Sequence, residues 1–134
     1  MIIDWDIHHG NGIQHIFESD PTVLYLSLHR YEKGTYFPSN DLGIGTDGAP
    51  TAAGVGAGAG TNINIGWNTR GHAKPGDAEY LAAWRDVVMP VAREYAPDLV
   101  LVAAGFDAAE GDPLGQCHMS PNCYAQVRAW WRPR

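Results

Sequence analysis

Near the start of the chain, Asp4-Trp5-Asp6-Ile7-His8 places two carboxylates and an imidazole at alternate positions. Alternate side chains of an extended strand share a face, so Asp4, Asp6 and His8 would point the same way. Far along the chain an apolar run, residues 99–104, passes through Gly105-Phe106 into Asp107. If the two segments are neighbouring strands, Asp6, His8 and Asp107 converge on one cation. Two carboxylates and one imidazole leave a fourth position open on zinc, as in a catalytic rather than a closed structural site. A zinc held in that way polarises a carbonyl and activates water. Taken alone, an Asp-x-Asp-x-His stretch is more often the polar end of an ordinary strand, and it is the second strand, ending in Asp107, that sets the metal reading level with the bland one.

The elements that must position these groups follow from the pattern. Residues 1–6 read as a short strand, broken by Gly10-Asn11-Gly12, after which Ile13, Ile16 and Phe17 follow helical spacing. Residues 22–29, rich in branched and aromatic side chains, form a second strand. Residues 31–60 are a long loop of Gly, Pro, Asn and Asp, and within it residues 38–60 form a variable, Gly-rich loop. Loops of that length are usually functional or mobile, and residues 49–60 read equally well as a plain Ala/Gly linker. Residues 62–66 are a third strand. The clearest helix covers residues 77–95, where Tyr80, Trp84, Val87, Val88, Val91 and Tyr95 make an apolar stripe that Pro90 should kink. Residues 99–104 read as a central parallel strand buried on both faces. Ser120-Pro121 supplies an N-cap and a first-turn proline for a helix over residues 122–131. Strands alternating with helices predict an α/β class with a mostly parallel sheet and flanking helices.

The bulk properties narrow the function. A length of 134 residues suits one domain, and the formal net charge of −6 with scattered basic residues argues against direct binding of nucleic acid. A basic, lysine-containing peptide is a better electrostatic match. Cys117 and Cys123 lack the spacing of a thiolate metal site and read as reduced thiols, with a disulfide between them as the other possibility. No apolar run is long enough for a membrane span. The chain opens directly on a buried-strand pattern, and we expect it to be a partial domain cut at its N-terminus.

Four blocks in order, DWDIHHGNG, VLYLSLHRYEKGTYFP, GDAEYLAAW and LVAAGFDAAEGDPLG, resemble the zinc-dependent histone deacetylases. The closest likeness is to class II, especially the cytoplasmic class IIb type, and it covers most of residues 2–126. The resemblance implies an arginase-deacetylase fold, here partial, and hydrolysis of acetylated lysine in histones or other proteins. It assigns Asp6, His8 and Asp107 to Zn2+. Asp4, Ser27 and Leu28, with the carbonyls of Asp6 and His8, fall on a structural K+ site, and Asp4 also orients a catalytic histidine. Phe17, Val23 and the neighbourhood of Thr61 fall where a second monovalent ion binds. Phe37 matches a wall of the acyl-lysine tunnel, and Leu114 a residue at the pocket rim, whose apolar character favours a protein lysine over an acetylated polyamine. Without that frame, Ser27 is a half-buried strand serine, Phe37 a loop aromatic over the core and Leu114 surface filler. His9 is expected to pack rather than ligate, and His15, His29, His72 and His118 to be ordinary polar or capping groups.

The family's proton-handling histidine pair, in a Pro-Gly-His-His context, and its Gly-Gly-Tyr tyrosine have no counterpart in this sequence. His8-His9 is not that pair, because His8 matches a metal ligand. The tail, residues 129–134, also leaves the family pattern. We therefore expect a fragment that is weakly active or inactive alone. The alternatives are a non-catalytic zinc-binding or interaction module and an acetylpolyamine amidohydrolase. The resemblance further implies possible corepressor subunits as partners and a cytoplasmic and/or nuclear location.

Overall fold

The computed structural model describes residues 1–39, 41–70, 72 and 74–131. Asn40, in the predicted variable loop, and residues 132–134 of the tail lie outside them. Four strands, β1 (Ile2–Asp4), β2 (Tyr25–Arg30), β3 (Asn62–Trp67) and β4 (Leu101–Ala103), form one sheet in the order β3-β2-β1-β4. Every pairing is parallel, as the alternation of strands and helices predicts.

The register divides the sheet into two unlike faces. Ile3 pairs with Leu26 and Leu26 with Ile63, while Leu28 pairs with Ile65. These side chains make an apolar face, continued past β1 by Trp5 and Ile7 and closed by Tyr80, Trp84, Val88, Cys123 and Val127 from the helices. Each large side chain buried here contributes roughly 1.5–3 kcal/mol. The opposite face is polar although it is buried: Tyr25 pairs with Asn62, and Asp4 with Ser27, which in turn pairs with Asn64. The short helix α1 (Asn11–Phe17) turns Gln14 into this face. The Gln14 Oε1 atom accepts from Asn62 Nδ2, Asn64 Nδ2 and His9 Nε2 at 3.0, 2.9 and 2.9 Å.

The predicted helix over residues 77–95 is α2 (Asp77–Ala83), a π-helical turn (Trp84–Val88) and α3 (Met89–Tyr95). Pro90 has no N–H to donate into the preceding turn, and the wider π register just before it absorbs that loss. The last helix, α4 (Pro121–Ala129), starts as predicted, with the Ser120 hydroxyl accepting from Cys123 N at 3.2 Å. Cys117 and Cys123 are both free and buried. Among the described residues no helix is long and apolar enough to cross a membrane.

Three expectations are corrected. β4 is not a central strand buried on both faces; it is a three-residue edge strand, with Leu101 53% and Val102 38% exposed. An apolar run reports what a segment could bury, whereas burial needs a neighbour on each side, and among the described residues nothing pairs with its outer edge. β1 ends at Asp4, so strand alternation does not orient Asp6 and His8. Residues 49–60 are not a plain linker either. The Val55 amide donates to Glu18 O at 2.7 Å, and a Cβ on Gly58 would lie 2.5 Å from the same carbonyl, so this stretch is laid closely against the end of α1.

Candidate metal centre

A ladder of short-range hydrogen bonds does what strand alternation was expected to do. The Asp6 amide donates to Asp4 Oδ1 at 3.1 Å, and the His8 amide donates to Asp6 Oδ1 at 2.7 Å. Each carboxylate thus caps the amide two residues on, which is the local preference of Asp in turns. The spacing of Asp-x-Asp-x-His therefore does carry structural information, through turns rather than a pleat. The intervening Trp5 and Ile7 turn into the apolar core. Asp107 arrives from the segment after β4, which pairs with β1, and its Oδ1 accepts from the Ile7 amide at 2.8 Å.

These bonds bring Asp6, His8 and Asp107 together, with one donor atom from each within 4.8 Å of the others. His8 Nδ1 donates to Asp107 Oδ2 at 2.7 Å and to Asp6 Oδ1 at 3.2 Å. Zinc with bonds of about 2.0–2.2 Å to nitrogen and oxygen in tetrahedral geometry separates its ligands by roughly 3.3 Å. The donor set suits that ion: the His8–Asp6 pair already has nearly this spacing, and the His8–Asp107 pair would open by about 0.6 Å. Two glycines hold the approach open. A Cβ on Gly105 would lie 2.1 Å from Asp6 Oδ2, and one on Gly115 would lie 1.8 Å from the Asp107 carbonyl oxygen.

The two carboxylates favour a protonated imidazole between them. The hydrogen bond to Asp107, then that to Asp6, raises the His8 pKa to about 9 against the opposing effect of burial. Burial pushes Asp107 up, but hydrogen bonds from His8 and from the Ile7 amide outweigh it and leave the carboxyl below its ordinary value. Asp4 is buried at 2% exposure, and desolvation lifts its pKa to about 6 although Tyr25 Oη donates to it at 2.8 Å.

Around the centre the structure places the other predicted residues and adds some the sequence did not mark. Phe37 meets the His8 ring edge-on at 5.7 Å and is 53% exposed. Tyr36, unmarked beforehand, stacks on His8 at 5.3 Å, carries the Arg30 guanidinium over its ring at 4.2 Å, and donates through Oη to the Leu114 carbonyl at 3.0 Å. Its place beside Phe37 in sequence was the only available signal. Leu114 is 70% exposed, and the loop carrying it is tied down by Arg30 Nη1 donating to Gly115 O at 3.1 Å. Asp4 and Ser27 are register partners on the polar face, whereas the Leu28 side chain lies in the apolar core and cannot itself reach that face. Phe17, Val23 and Thr61 gather around Asp20: the Phe17 carbonyl accepts from the Asp20 amide at 2.9 Å, and Val23 N and Thr61 Oγ1 donate to Asp20 O at 3.3 and 3.4 Å.

The remaining histidines mostly follow expectation. His9 packs, 3% exposed, with its ring 4.7 Å from that of His29. His15 pairs with Asp47 at 2.5 Å. His29 is more than an ordinary polar residue. It is fully buried, Nε2 donates to Gly48 O at 2.9 Å, and Nδ1 therefore accepts from Ser27 Oγ at 2.8 Å. Burial, and then the neighbouring His9, lower the His29 pKa to about 3, which keeps it neutral.

Known proteins are similar to this chain in sequence and fold. The sequence model of the Histone deacetylase domain matches residues 1–132. The chain is 53% identical to Histone deacetylase 7 of Homo sapiens over 129 residues, covering 95% of this chain and 13% of that protein. It is 51% identical to Histone deacetylase HDA1 of Saccharomyces cerevisiae over 127 residues, covering 95% of this chain and 17% of that one. Among solved structures, that of the histone deacetylase Clr3 superposes with a TM-score of 0.87 at 49% identity over 94% of this chain and 20% of the other. The HDA15 HD domain superposes with a TM-score of 0.85 at 44% identity over 94% of this chain and 33% of the other. The chain thus spans a third or less of each of these relatives. The fold is the expected α/β arrangement of arginase-deacetylase type, a parallel sheet with flanking helices. This chain belongs to the histone deacetylase family.

Proposed function

We propose that this chain carries the metal-binding half of a zinc-dependent deacetylase site, one that hydrolyses the acetyl amide of acetylated lysine in histones or other proteins. The observation that carries the reading is the convergence of Asp6, His8 and Asp107, with the rings of Tyr36 and Phe37 against His8. Asp6, His8 and Asp107 would hold the zinc, which when bound polarises the amide carbonyl and activates water. Tyr36 and Phe37 flank His8, and Phe37 would serve as a tunnel wall against the apolar stem of the acyl-lysine. Leu114, anchored beside Tyr36, would meet the substrate at the rim. Its apolar side chain favours a lysine in a protein over a charged polyamine. The four sequence blocks support reading the chain as class II, nearest the class IIb type, acting in the cytoplasm, the nucleus or both, with corepressor subunits as candidate partners.

A structural K+ would sit on Asp4, Ser27 and the Leu28 carbonyl. Neutral His29 supports this assignment: by accepting the Ser27 hydroxyl proton it turns the oxygen lone pairs of Ser27 outward, free for a cation. Asp4, lifted by burial, is the carboxylate such a cation would stabilise most.

The test uses the Co2+-substituted chain, whose visible spectrum reports the ligand set. An acetyl-lysine peptide should perturb the spectrum while the same peptide with unmodified lysine and acetylspermidine should not, and Asp107→Ala should abolish the signal. Failure of the native chain to bind Co2+ or Zn2+, or a response to the unmodified peptide equal to that of the acetylated one, sinks the proposal.

A further inference from the structure

On the face of the loops beyond β2 and β3 lies a cavity of about 420 Å³ that the metal centre does not use, lined by Glu32, Lys33, Thr35, Asn68, Arg70 and His72. The chain is acidic overall, yet four of its nine Lys and Arg residues, Arg30, Lys33, Arg70 and Lys74, gather about one carboxylate. That carboxylate, Glu32, is 7% exposed and already fully engaged. It accepts from Arg30 Nε and Nη2 at 3.2 and 3.1 Å, from the Thr69 and Arg70 amides at 3.0 and 2.8 Å, and from Thr69 Oγ1 at 2.9 Å. Lys74 Nζ lies 3.6 Å away. Glu32 therefore neutralises Arg30 and pins the 69–70 loop, and it has little left to offer Lys33 and Arg70. Among the described residues neither of these forms an ion pair; the Arg70 guanidinium makes one long contact, 3.4 Å to Thr35 Oγ1.

The backbone is arranged to present these groups. Glu32 and Lys33 are consecutive non-glycine residues in the left-handed region, with φ of 50° and 58°. Such backbone persists only where its surroundings enforce it, and here Asn68 Oδ1 accepts the Lys33 amide at 2.7 Å. The exposed side chains of Lys33, Arg70 and His72 then share one concavity with the Thr35 hydroxyl and the Asn68 amide. Two cations with a surplus of N–H donors, and no acceptor of their own beyond Thr35, suit a compact multivalent oxyanion, for which Arg supplies a fork and Lys a point charge.

We propose that this cavity binds a phosphate group, borne either by a small molecule or by a phosphorylated side chain. The test titrates the metal-free full chain at low ionic strength with inorganic phosphate and, separately, with a phosphoserine peptide lacking lysine, followed by calorimetry. Saturable one-to-one binding of phosphate is expected, weakened at least about 10-fold by Lys33→Gln with Arg70→Gln. The charge-matched pair Arg85→Gln with Arg93→Gln, outside the cavity, should bind like the native chain, and Arg70→Lys should retain most of the affinity. Circular dichroism confirms that each variant is folded. Peptide binding in competition with phosphate assigns the phosphorylated side chain as the source, and phosphate binding without it assigns the small molecule. Absence of saturable binding by the native chain overturns the proposal, as does an equal loss in the Arg85/Arg93 pair.

Discussion

Zinc reaches His8 Nδ1 only by replacing the proton that Asp107 and Asp6 hold there. The hydrogen bond to Asp107 is the main reason the His8 pKa stands at about 9, and the one to Asp6 is second. At pH 7, two pH units lower, roughly one metal-free molecule in 100 has a neutral His8. The apparent zinc dissociation constant should therefore fall about tenfold per pH unit up to about pH 9 and flatten above it. A histidine with an ordinary pKa would already level off above about pH 6.5. Asp107→Asn removes the leading cause. In that variant the break should move toward the ordinary histidine value while affinity at pH 9 drops, because an anionic ligand has gone. Competition with a chromophoric chelator between pH 6 and 9.5 measures both effects. The linked stability has the matching sign. With the folded pKa raised, the contribution of His8 to the metal-free chain is full below the unfolded value and is lost as pH rises through about 9. A zinc affinity that is flat from pH 7 to 9 in the native chain would refute the reasoning.

Other outcomes follow from the same geometry. Gly115→Ala forces a Cβ against the Asp107 carbonyl, so we expect a loss of about 1–3 kcal/mol in urea unfolding together with weaker zinc binding; an unchanged midpoint would show that the loop yields freely. Glu32→Gln leaves buried Arg30 without its charge partner and should cost about 3 kcal/mol at neutral pH. Hydrogen bonds from Thr69 and Arg30 outweigh burial and depress the Glu32 pKa, so this contribution is present above the unfolded value and lost as pH falls through the folded one. Denaturation of native and variant chains should accordingly converge in acid. Ser120→Ala removes both the N-cap of α4 and the Ser120 Oγ bond to Asp77 Oδ2 at 2.6 Å, and should cost about 1–2 kcal/mol while leaving zinc affinity unchanged, a separation that calorimetry with and without zinc can check.

Much of this molecule was legible in its residues. The parallel α/β class, the start of α4 at Ser120-Pro121 and the Asp6–His8 part of the trio follow from local rules of period, capping and short-range spacing, whereas Asp107 joins them only through the pairing of β4 with β1. Even the turn ladder that orients the trio is encoded at i and i+2, although strand alternation was the wrong account of it. What the sequence could not supply was the environment of each side chain. The apolar run at β4 carries no record of which strands flank it, and it lies at an edge. Tyr36 over His8, His29 accepting from Ser27, and the gathering of Lys33, Arg70 and Lys74 around Glu32 join residues that are far apart in the chain or silent as motifs. Burial and electrostatic neighbourhood are sums over the whole fold, so only the tertiary structure could decide them, whereas spacing along the backbone was fixed as soon as the residues were written in order.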